Sequence, residues 1–126
     1  MKILIAEDNS INQRIFLAFL NTKFDIKIAN NGQEAYEAFK IDDYSCILMD
    51  LHMPIMDGLE TSRSIRKYEK ENNLLETPIL AVTASHPAED KEKCFEAGMN
   101  DFIQKPITEK GIIGAINRWT ENIPKK

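Results

Sequence analysis

The chain has 126 residues, the size of one ordinary domain, and we expect no second domain in it. Hydrophobic residues make up 43% and charged residues 29%, which is typical of a globular protein and excludes the disordered and membrane-embedded classes. The formal net charge of −4 argues against a nucleic-acid-binding surface, which would need clustered Lys and Arg.

Five short apolar segments recur along the chain, with helix-like stretches between them. They cover residues 2–6, 25–29, 46–51, 78–83 and 101–104. Alternation of strands and helices predicts a parallel sheet with helices on both faces. We therefore expect an α/β fold of the flavodoxin-like, doubly wound kind, with five strands in the order 2-1-3-4-5, five helices and a single domain over residues 1–126.

The first helix is predicted to begin at Ser10, with a capping box between Ser10 and Gln13. The apolar residues expected on its buried face are Ile11, Ile15 and Phe19. The second helix follows the turn at residues 30–32, which reads Asn-Asn-Gly. Its expected buried residues are Ala35, Ala38 and Phe39.

The third helix has Asp57 as its predicted N-cap with Glu60 three residues on, and it runs through Ile65 toward Tyr68. A polar stretch at residues 69–77 then leads into the fourth strand. The fourth helix follows Pro87 and is expected to end near Gly98, which suits a left-handed cap. The fifth helix buries one face, and Pro124 is expected to mark its end. The residues of that face are Ile112, Ile116 and Trp119.

The chain shows no sign of a membrane span or of export. No apolar run approaches the ~20 residues that a span needs, and Met1-Lys2 leads straight into apolar residues without a signal-peptide pattern. A cytoplasmic location is therefore expected. Cys46 and Cys94 lack metal-ligand spacing, which favours two buried, reduced thiols over a redox role or a disulfide.

Polar residues follow four of the five predicted strands. They are Glu7-Asp8 after the first strand, Asp50 in the third, Thr83 in the fourth and Lys105-Pro106 after the fifth. The second strand ends only in the turn at residues 30–32. In the order 2-1-3-4-5 the four strands are neighbours and the second lies at the edge, so the sequence predicts one cluster at the carboxyl ends of the strands, where such folds bind ligands.

Three carboxylates in a half-buried pocket repel one another and raise their own pKa values unless a cation sits among them. Mg²⁺ prefers a few carboxylate oxygens together with waters and a phosphoryl oxygen, which matches Glu7, Asp8 and Asp50. Lys105 and Thr83 suit phosphoryl oxygens, and one carboxylate can act as the nucleophile. Taken singly, each element also fits an ordinary polar loop, helix cap or turn; the joint pattern favours a phosphoryl-transfer site.

Four segments in order resemble the response regulator receiver domain, across essentially the whole chain. They cover residues 5–9, 49–58, 82–84 and 97–106, and they read Ile-Ala-Glu-Asp-Asn, Met-Asp-Leu-His-Met-Pro-Ile-Met-Asp-Gly, Val-Thr-Ala and Ala-Gly-Met-Asn-Asp-Phe-Ile-Gln-Lys-Pro. The resemblance implies that Asp50 is the phosphoacceptor. It assigns the metal to Glu7, Asp8, Asp50 and the backbone carbonyl of His52, the phosphoryl-binding cation to Lys105, and the switch to Thr83 and Phe102.

Some positions depart from the family pattern or refine it. Glu7 stands where Asp is frequent, so a water could lie between its side chain and the metal, and Phe102 stands where Tyr is common. The Glu-Asp-Asn-Ser-Ile-Asn-Gln segment and the segment around Met99 to Ile107 are most similar to receivers of hybrid sensor histidine kinases. The resemblance also implies a cis Lys105-Pro106 bond, and it makes His52 and Ser85 the positions that tune the lifetime of the phosphorylated state.

The function implied by this resemblance is a switch in a two-component or phosphorelay system. A histidine kinase or a histidine phosphotransfer protein would donate the phosphoryl group, with Mg²⁺ as cofactor and Mn²⁺ able to substitute. Rotation of Phe102 would change the face formed by the fourth helix, fifth strand and fifth helix, where an output domain or a downstream protein would bind. Slow self-hydrolysis would reset the switch.

Three alternatives remain open on the sequence alone. A Mg²⁺-dependent phosphohydrolase usually carries an acidic residue two positions after its nucleophile, where this chain has His52. A flavin or nucleotide module would want a Gly- or Ser-rich phosphate loop, and Glu7-Asp8 would repel that phosphate. A receiver that no longer accepts phosphate is the third alternative. His52 and His86 lack a third ligand at suitable spacing, which argues against a zinc site.

Overall fold

The computed structural model describes residues 1–84 and 87–121, with the backbone alone for residues 87–90. In these residues five strands alternate with five helices, as predicted. They are β1 (Lys2–Ala6), α1 (Ser10–Leu20), β2 (Asp25–Ala29), α2 (Gly32–Ile41), β3 (Cys46–Asp50), α3 (Gly58–Glu71), β4 (Ile79–Thr83), α4 (Pro87–Glu96), β5 (Asp101–Gln104) and α5 (Glu109–Thr120). All strand pairs are parallel, and the sheet has the predicted order β2-β1-β3-β4-β5.

The sheet carries a hydrophobic cluster on each face, because successive side chains of a strand point to opposite sides. Leu4 and Ala6 of β1 belong to the cluster that α2, α3 and α4 cover, whereas Ile3 and Ile5 belong to the cluster under α1 and α5. Every residue of β3 and β4 is buried, as expected for central strands of a parallel sheet covered on both faces. In these two central strands the acidic and hydroxyl side chains, Asp50 and Thr83, therefore stand at the last position of the strand.

Helix α1 begins at Ser10, as predicted, but its N-terminal cap differs from the prediction. The N-cap is Asn9, whose side-chain oxygen accepts from the backbone N–H groups of Ile11 at 2.9 Å and Asn12 at 3.0 Å. The predicted capping box between Ser10 and Gln13 is wrong, because the Gln13 amide donates instead to the Glu7 carbonyl and the Asn30 side chain.

The buried face of α1 also differs from the prediction. Phe16 and Leu20 are buried, and Phe19 packs against the same cluster, but Ile11 is 66% exposed and Ile15 is 37% exposed. The predicted apolar stripe, with Ile11 and Ile15, and the observed one, with Phe16 and Leu20, lie side by side on this 11-residue helix. The position of the sheet therefore decides which stripe is buried. Ile11 and Ile15 are therefore surface residues.

The second and third helices begin as predicted. The Asn31 side chain accepts from the Glu34 N–H at 2.8 Å, and the Asp57 side chain accepts from the Glu60 N–H at 2.8 Å. The residues predicted to lie on the buried face of α2, Ala35, Ala38 and Phe39, are all buried. Helix α3 continues to Glu71, beyond the end expected near Tyr68, because the side chain of Glu69 is buried and pairs with Arg66.

The C-terminal half follows the prediction closely. Gly98 has a φ of 96°, the left-handed conformation expected just after α4. On α5 Ile112 and Ile116 are fully buried, while Trp119 is partly buried against the same cluster. The Lys105-Pro106 peptide bond is cis, as predicted. Pro124 lies outside the described residues.

Cys46 and Cys94 are both buried thiols, as predicted, and they form no disulfide with each other. Burial raises the pKa of the Cys46 thiol to about 12, so this group is held protonated. Among the residues that the structure describes, no helix combines the length and the apolarity that crossing a membrane requires.

Candidate functional site

The polar residues predicted to form the site lie at the carboxyl ends of four adjacent strands. Glu7 directly follows β1, Asp50 is the last residue of β3, Thr83 is the last residue of β4, and Lys105 directly follows β5. Because parallel strands end at the same edge of a sheet, residues far apart in the chain are brought together there. Asp50 pairs in register with Val82, the residue before Thr83.

Three carboxylates form the centre of the site. One oxygen from each of Glu7, Asp8 and Asp50 lies within 4.8 Å of the other two. Glu7 and Asp50 are buried, whereas Asp8 is exposed, so the cluster opens to solvent on one side. A few carboxylate oxygens beside water are the ligand set that Mg²⁺ prefers, and the residues present therefore fit a hard divalent cation.

Lys105 supplies the positive charge of the cluster. Its Nζ lies 3.0 Å from Oε1 of Glu7 and 3.8 Å from Oδ2 of Asp50. The first distance is a hydrogen-bonded ion pair, while the second is too long for a hydrogen bond. The ammonium is thus hydrogen-bonded to Glu7 and forms a longer ion pair with Asp50.

The electrostatics of Glu7 show how strongly these acids are crowded. Burial raises the pKa of Glu7, and the negative charge of Asp50 raises it further. The hydrogen bonds from Lys105 and from the Asn9 N–H, the latter at 3.2 Å, offset only part of this increase. An additional cation at this position would relieve the repulsion between the two carboxylates.

Asp50 is held by backbone groups around it. Its Oδ1 accepts from the His52 N–H at 3.2 Å, and its own carbonyl lies against the first residue of α3. A Cβ at Gly58 would meet the Asp50 carbonyl oxygen at 2.3 Å, so this close approach requires glycine. Asp57 caps α3, as predicted, and is not one of the clustered carboxylates.

The predicted switch residues lie next to the site and on the neighbouring strand. Thr83 is fully buried at the end of β4. Phe102 pairs in register with Ala81 and packs, partly buried, against the cluster under α2, α3 and α4. The His52 side chain is exposed. Ser85 and His86 fall outside the described residues.

The sequence as a whole matches one protein family. The model of the response regulator receiver domain covers residues 3–117, nearly the whole chain. This chain belongs to the response regulator receiver domain family. Membership confirms the resemblance drawn from the four segments and accounts for the fold.

Curated relatives of this receiver domain include hybrid histidine kinases. Hybrid signal transduction histidine kinase B of Dictyostelium discoideum is 44% identical over 122 residues, a match that covers 89% of this chain and 6% of that protein. For two other hybrid kinases of the same organism the match covers 7% and 10% of their length. This receiver domain therefore spans a small part of the curated relatives it matches.

Two solved receiver structures are similar over almost the whole chain. The receiver domain of Ssk1 from Saccharomyces cerevisiae, solved with the histidine phosphotransfer protein Ypd1, has a TM-score of 0.90 and 37% identity, with 95% of this chain and 88% of that chain covered. The receiver domain of the sensor histidine kinase PA1611 from Pseudomonas aeruginosa has a TM-score of 0.86 and 33% identity, with coverage of 96% and 98%. That structure holds a magnesium ion in its active-site cleft.

Two features of this receiver site were missed by the sequence analysis. The turn after β2 has no predicted role in the site, but the side chain of Gln13 connects it to the acidic loop, residues 7–9, which follows β1. An apolar groove of about 330 Å³ also lies beside Lys105. It is lined by Asn12, Ile15, Phe16, Ala84, Lys105, Pro106 and Ile107. No sequence motif marks either feature, because each depends on contacts between separate helices, strands and loops.

Proposed function

We propose that this receiver domain accepts a phosphoryl group on Asp50 and uses the modification as a reversible switch. The observation that carries the proposal is the convergence of Glu7, Asp8 and Asp50 within 4.8 Å, with the Lys105 ammonium 3.8 Å from Oδ2 of Asp50. The carboxylate of Asp50 offers a nucleophilic oxygen, and a mobile cation stands beside it. This is the arrangement that transfer of an anionic group requires.

The phosphodonor is proposed to be a phosphohistidine on a histidine kinase or a histidine phosphotransfer protein. An oxygen of Asp50 attacks phosphorus, the P–N bond to the imidazole breaks, and an acyl phosphate forms as the histidine leaves. The relationship to hybrid kinases and the Ssk1–Ypd1 complex support this class of donor. The apolar groove beside Lys105 also suits a protein donor better than a small phosphate ester.

The other residues have distinct proposed roles. Glu7, Asp8, Asp50 and the His52 carbonyl would hold Mg²⁺, or Mn²⁺ in its place. When bound, the ion neutralises charge on the phosphoryl oxygens. The Lys105 ammonium would move from Glu7 to a phosphoryl oxygen. The new dianion attracts it more strongly than does the carboxylate of Glu7, which the metal ion would also use.

The conformational response is proposed to pass from Thr83 to Phe102. The Thr83 hydroxyl would donate to a phosphoryl oxygen, and Phe102 would turn into the space that Thr83 vacates. This would change the face of α4, β5 and α5, where an output domain or downstream protein would bind. Thr83→Ala should still accept phosphate but lose the amide chemical-shift changes on β5 and α5; unchanged shifts in β5 and α5 of the phosphorylated wild type would exclude this route.

Intact mass spectrometry after incubation with Mg²⁺ and a small-molecule phosphodonor such as acetyl phosphate tests the central proposal. The wild type should gain one phosphate, and Asp50→Asn should gain none. Chelation of the metal should abolish the gain. A wild-type protein that stays unmodified, or an Asp50→Asn variant that is modified equally, would show that Asp50 is not the acceptor.

Slow hydrolysis of the acyl phosphate is proposed to reset the switch, with His52 and Ser85 tuning its rate. His52 is exposed two residues after Asp50, and its backbone N–H donates to Oδ1 of Asp50 at 3.2 Å. His52→Ala should change the decay rate of the phosphorylated state, followed by mass spectrometry after the donor is removed. An unchanged rate would remove His52 from this role.

A further inference from the structure

The side chain of Gln13 joins the acidic loop to the turn that follows the edge strand. Its Nε2 donates to the backbone carbonyl of Glu7 at 2.6 Å and to the side-chain oxygen of Asn30 at 2.8 Å. The amide has two N–H donors, and both are used by these two acceptors. Gln13 lies on the first turn of α1, so one side chain connects three separate parts of the fold.

The connection continues beyond Asn30. The backbone N–H and the side-chain amide of Asn30 both donate to Oε1 of Glu34, at 3.1 Å and 3.2 Å. These hydrogen bonds form a series that runs in one direction, because Gln13 donates to Asn30 and Asn30 donates to the carboxylate of Glu34. Aligned hydrogen bonds polarise one another, and the last acceptor in the series is charged. The series of hydrogen bonds therefore fixes the orientation of Asn30.

Glu7 is thus held from the β2 side at both of its backbone polar groups. Its N–H donates to the carbonyl of Ala29, the last residue of β2, at 3.0 Å. Its carbonyl accepts from Gln13, which is anchored to Asn30, the residue after Ala29. The carbonyl of Glu7 and the N–H of Asp8 share one planar peptide unit, so fixing the oxygen fixes the plane that joins the two acids.

We propose that Gln13 is a positioning residue of the metal site, acting with Asn30 to hold the Glu7–Asp8 peptide so that both carboxylates face Asp50. The inference rests on the proposed function in taking this cluster as the metal site. Strand β2 carries no residue of the carboxylate cluster, but the turn that follows it determines the orientation of the Glu7 and Asp8 carboxylates. Removing a residue that orients metal ligands in this way commonly weakens metal binding by 10- to 100-fold.

The test compares Gln13→Met with Gln33→Met. Met has nearly the length of Gln and no donor, and Gln33 is an exposed glutamine whose amide donates only along α2, to Glu37 at 3.1 Å. Titration calorimetry with Mg²⁺ should give Gln13→Met an affinity roughly tenfold weaker than that of the wild type. Gln33→Met should bind Mg²⁺ with the affinity of the wild type.

A second variant separates positioning from a general loss of stability. Asn30→Ala leaves the Gln13–Glu7 bond possible but removes its anchor, so it should weaken Mg²⁺ binding by a smaller factor. The double variant should be no weaker than Gln13→Met alone, because both substitutions act through one chain. Wild-type affinity in Gln13→Met, or fully additive losses in the double variant, would overturn the inference.

Metal-free NMR spectra make the inference independent of the proposed function. Gln13→Met should shift the backbone amides of Glu7, Asp8 and Asn9, and Gln33→Met should not. If the wild type took up no Mg²⁺, the proposed function would fail, while these shifts would still decide whether Gln13 orients the acidic loop. Unmoved amides at residues 7–9 would overturn the positioning role.

Discussion

The ammonium of Lys105 lies 3.0 Å from a carboxylate oxygen of Glu7, and the two residues come from opposite ends of the chain. Glu7 is almost fully buried and Lys105 is only 19% exposed, so this pair is shielded from solvent. The same carboxylate belongs to the cluster with Asp8 and Asp50. Lys105 is therefore paired with the Glu7 carboxylate, one of the groups that a divalent cation would use.

Replacing Lys105 should separate metal binding from phosphorylation. Lys105→Met removes a positive charge that competes for Glu7, so Mg²⁺ should bind several-fold more tightly, since nearby like charges repel. Phosphorylation by acetyl phosphate should slow by roughly 100-fold or more, because a group that stabilises the transferring charge is lost. The exposed Lys110→Met is the control. Weaker Mg²⁺ binding in Lys105→Met would instead mean that Lys105 orders the acids.

Two glycines should respond in opposite ways to alanine. A Cβ at Gly58 would lie 2.3 Å from the Asp50 carbonyl oxygen, whereas a Cβ at Gly114 on α5 meets nothing within 4 Å. Gly58→Ala should lower the free energy of unfolding by about 1–3 kcal/mol through overpacking and should slow phosphorylation of Asp50. Gly114→Ala should raise it by about 0.5–1 kcal/mol. Urea denaturation measures both, and equal effects would contradict the close approach at Gly58.

Arg66 should be a major source of stability at the end of the sheet opposite the site. Its guanidinium donates to Glu69 Oε1 at 2.7 Å, to the carbonyls of Thr77 and Gly98, and to Asn100 Oδ1 at 2.7 Å. Arg66→Ala would leave the carboxylate of Glu69, which is only 2% exposed, without its cation. The expected loss is about 3–5 kcal/mol of unfolding free energy.

The control for Arg66 lies on the same helix. Arg63 is exposed, so Arg63→Ala should change the unfolding free energy by no more than about 0.5 kcal/mol. Replacing the pair together, as Arg66→Met with Glu69→Met, should be less harmful than Arg66→Ala because no buried charge is left unpaired. A small effect of Arg66→Ala in urea denaturation would show that the network contributes little.

Asp101 should make the packing of α5 on β5 sensitive to acid. Burial by itself would raise the pKa of Asp101, but hydrogen bonds from Trp119, from the Phe102 N–H and from Arg118 outweigh it and hold the pKa below its ordinary value of 3.8. Because the unfolded chain binds this proton more readily, the stabilisation is complete above pH 3.8 and is lost as the pH falls through the lower, folded-state pKa.

The single tryptophan provides the measurement. The Trp119 indole donates to Oδ2 of Asp101 at 2.8 Å, so its fluorescence reports this contact. Asp101→Asn should be less stable than the wild type by about 1–2 kcal/mol at neutral pH, and the difference should shrink in the acid range. The exposed Asp43→Asn serves as control. A difference that stays constant down to the lowest pH would contradict the role assigned to the carboxylate.

The two thiols should be unreactive in the folded protein. Both are buried, and with a pKa of about 12 only roughly one Cys46 in ten thousand is a thiolate at pH 8. A thiol-reactive chromogenic disulfide should therefore label the native protein very slowly and should label both cysteines at once in concentrated guanidinium. Rapid labelling of the native protein would indicate that a thiol is accessible.

The sequence determined the architecture and the composition of the site. Alternating apolar segments and helix signals predict a parallel sheet, and in such a sheet the ends of all strands share one edge. Glu7, Asp50, Thr83 and Lys105 each follow or end a strand, so their proximity could be predicted without knowing a single distance. The caps at Asp57 and Gly98 could be predicted for a similar reason, because they depend on neighbours a few residues away.

Only the tertiary structure decided which groups are bound to which. The choice of Phe16 over Ile15 for the core, of Glu7 over Asp50 as the partner of Lys105, and of Asn30 as the anchor of Gln13 all follow from where separate elements meet. Periodicity fixes the direction of a side chain relative to its own helix or strand. It does not fix the distance to an element elsewhere in the chain, and a hydrogen bond or ion pair depends on that distance to within a fraction of an ångström.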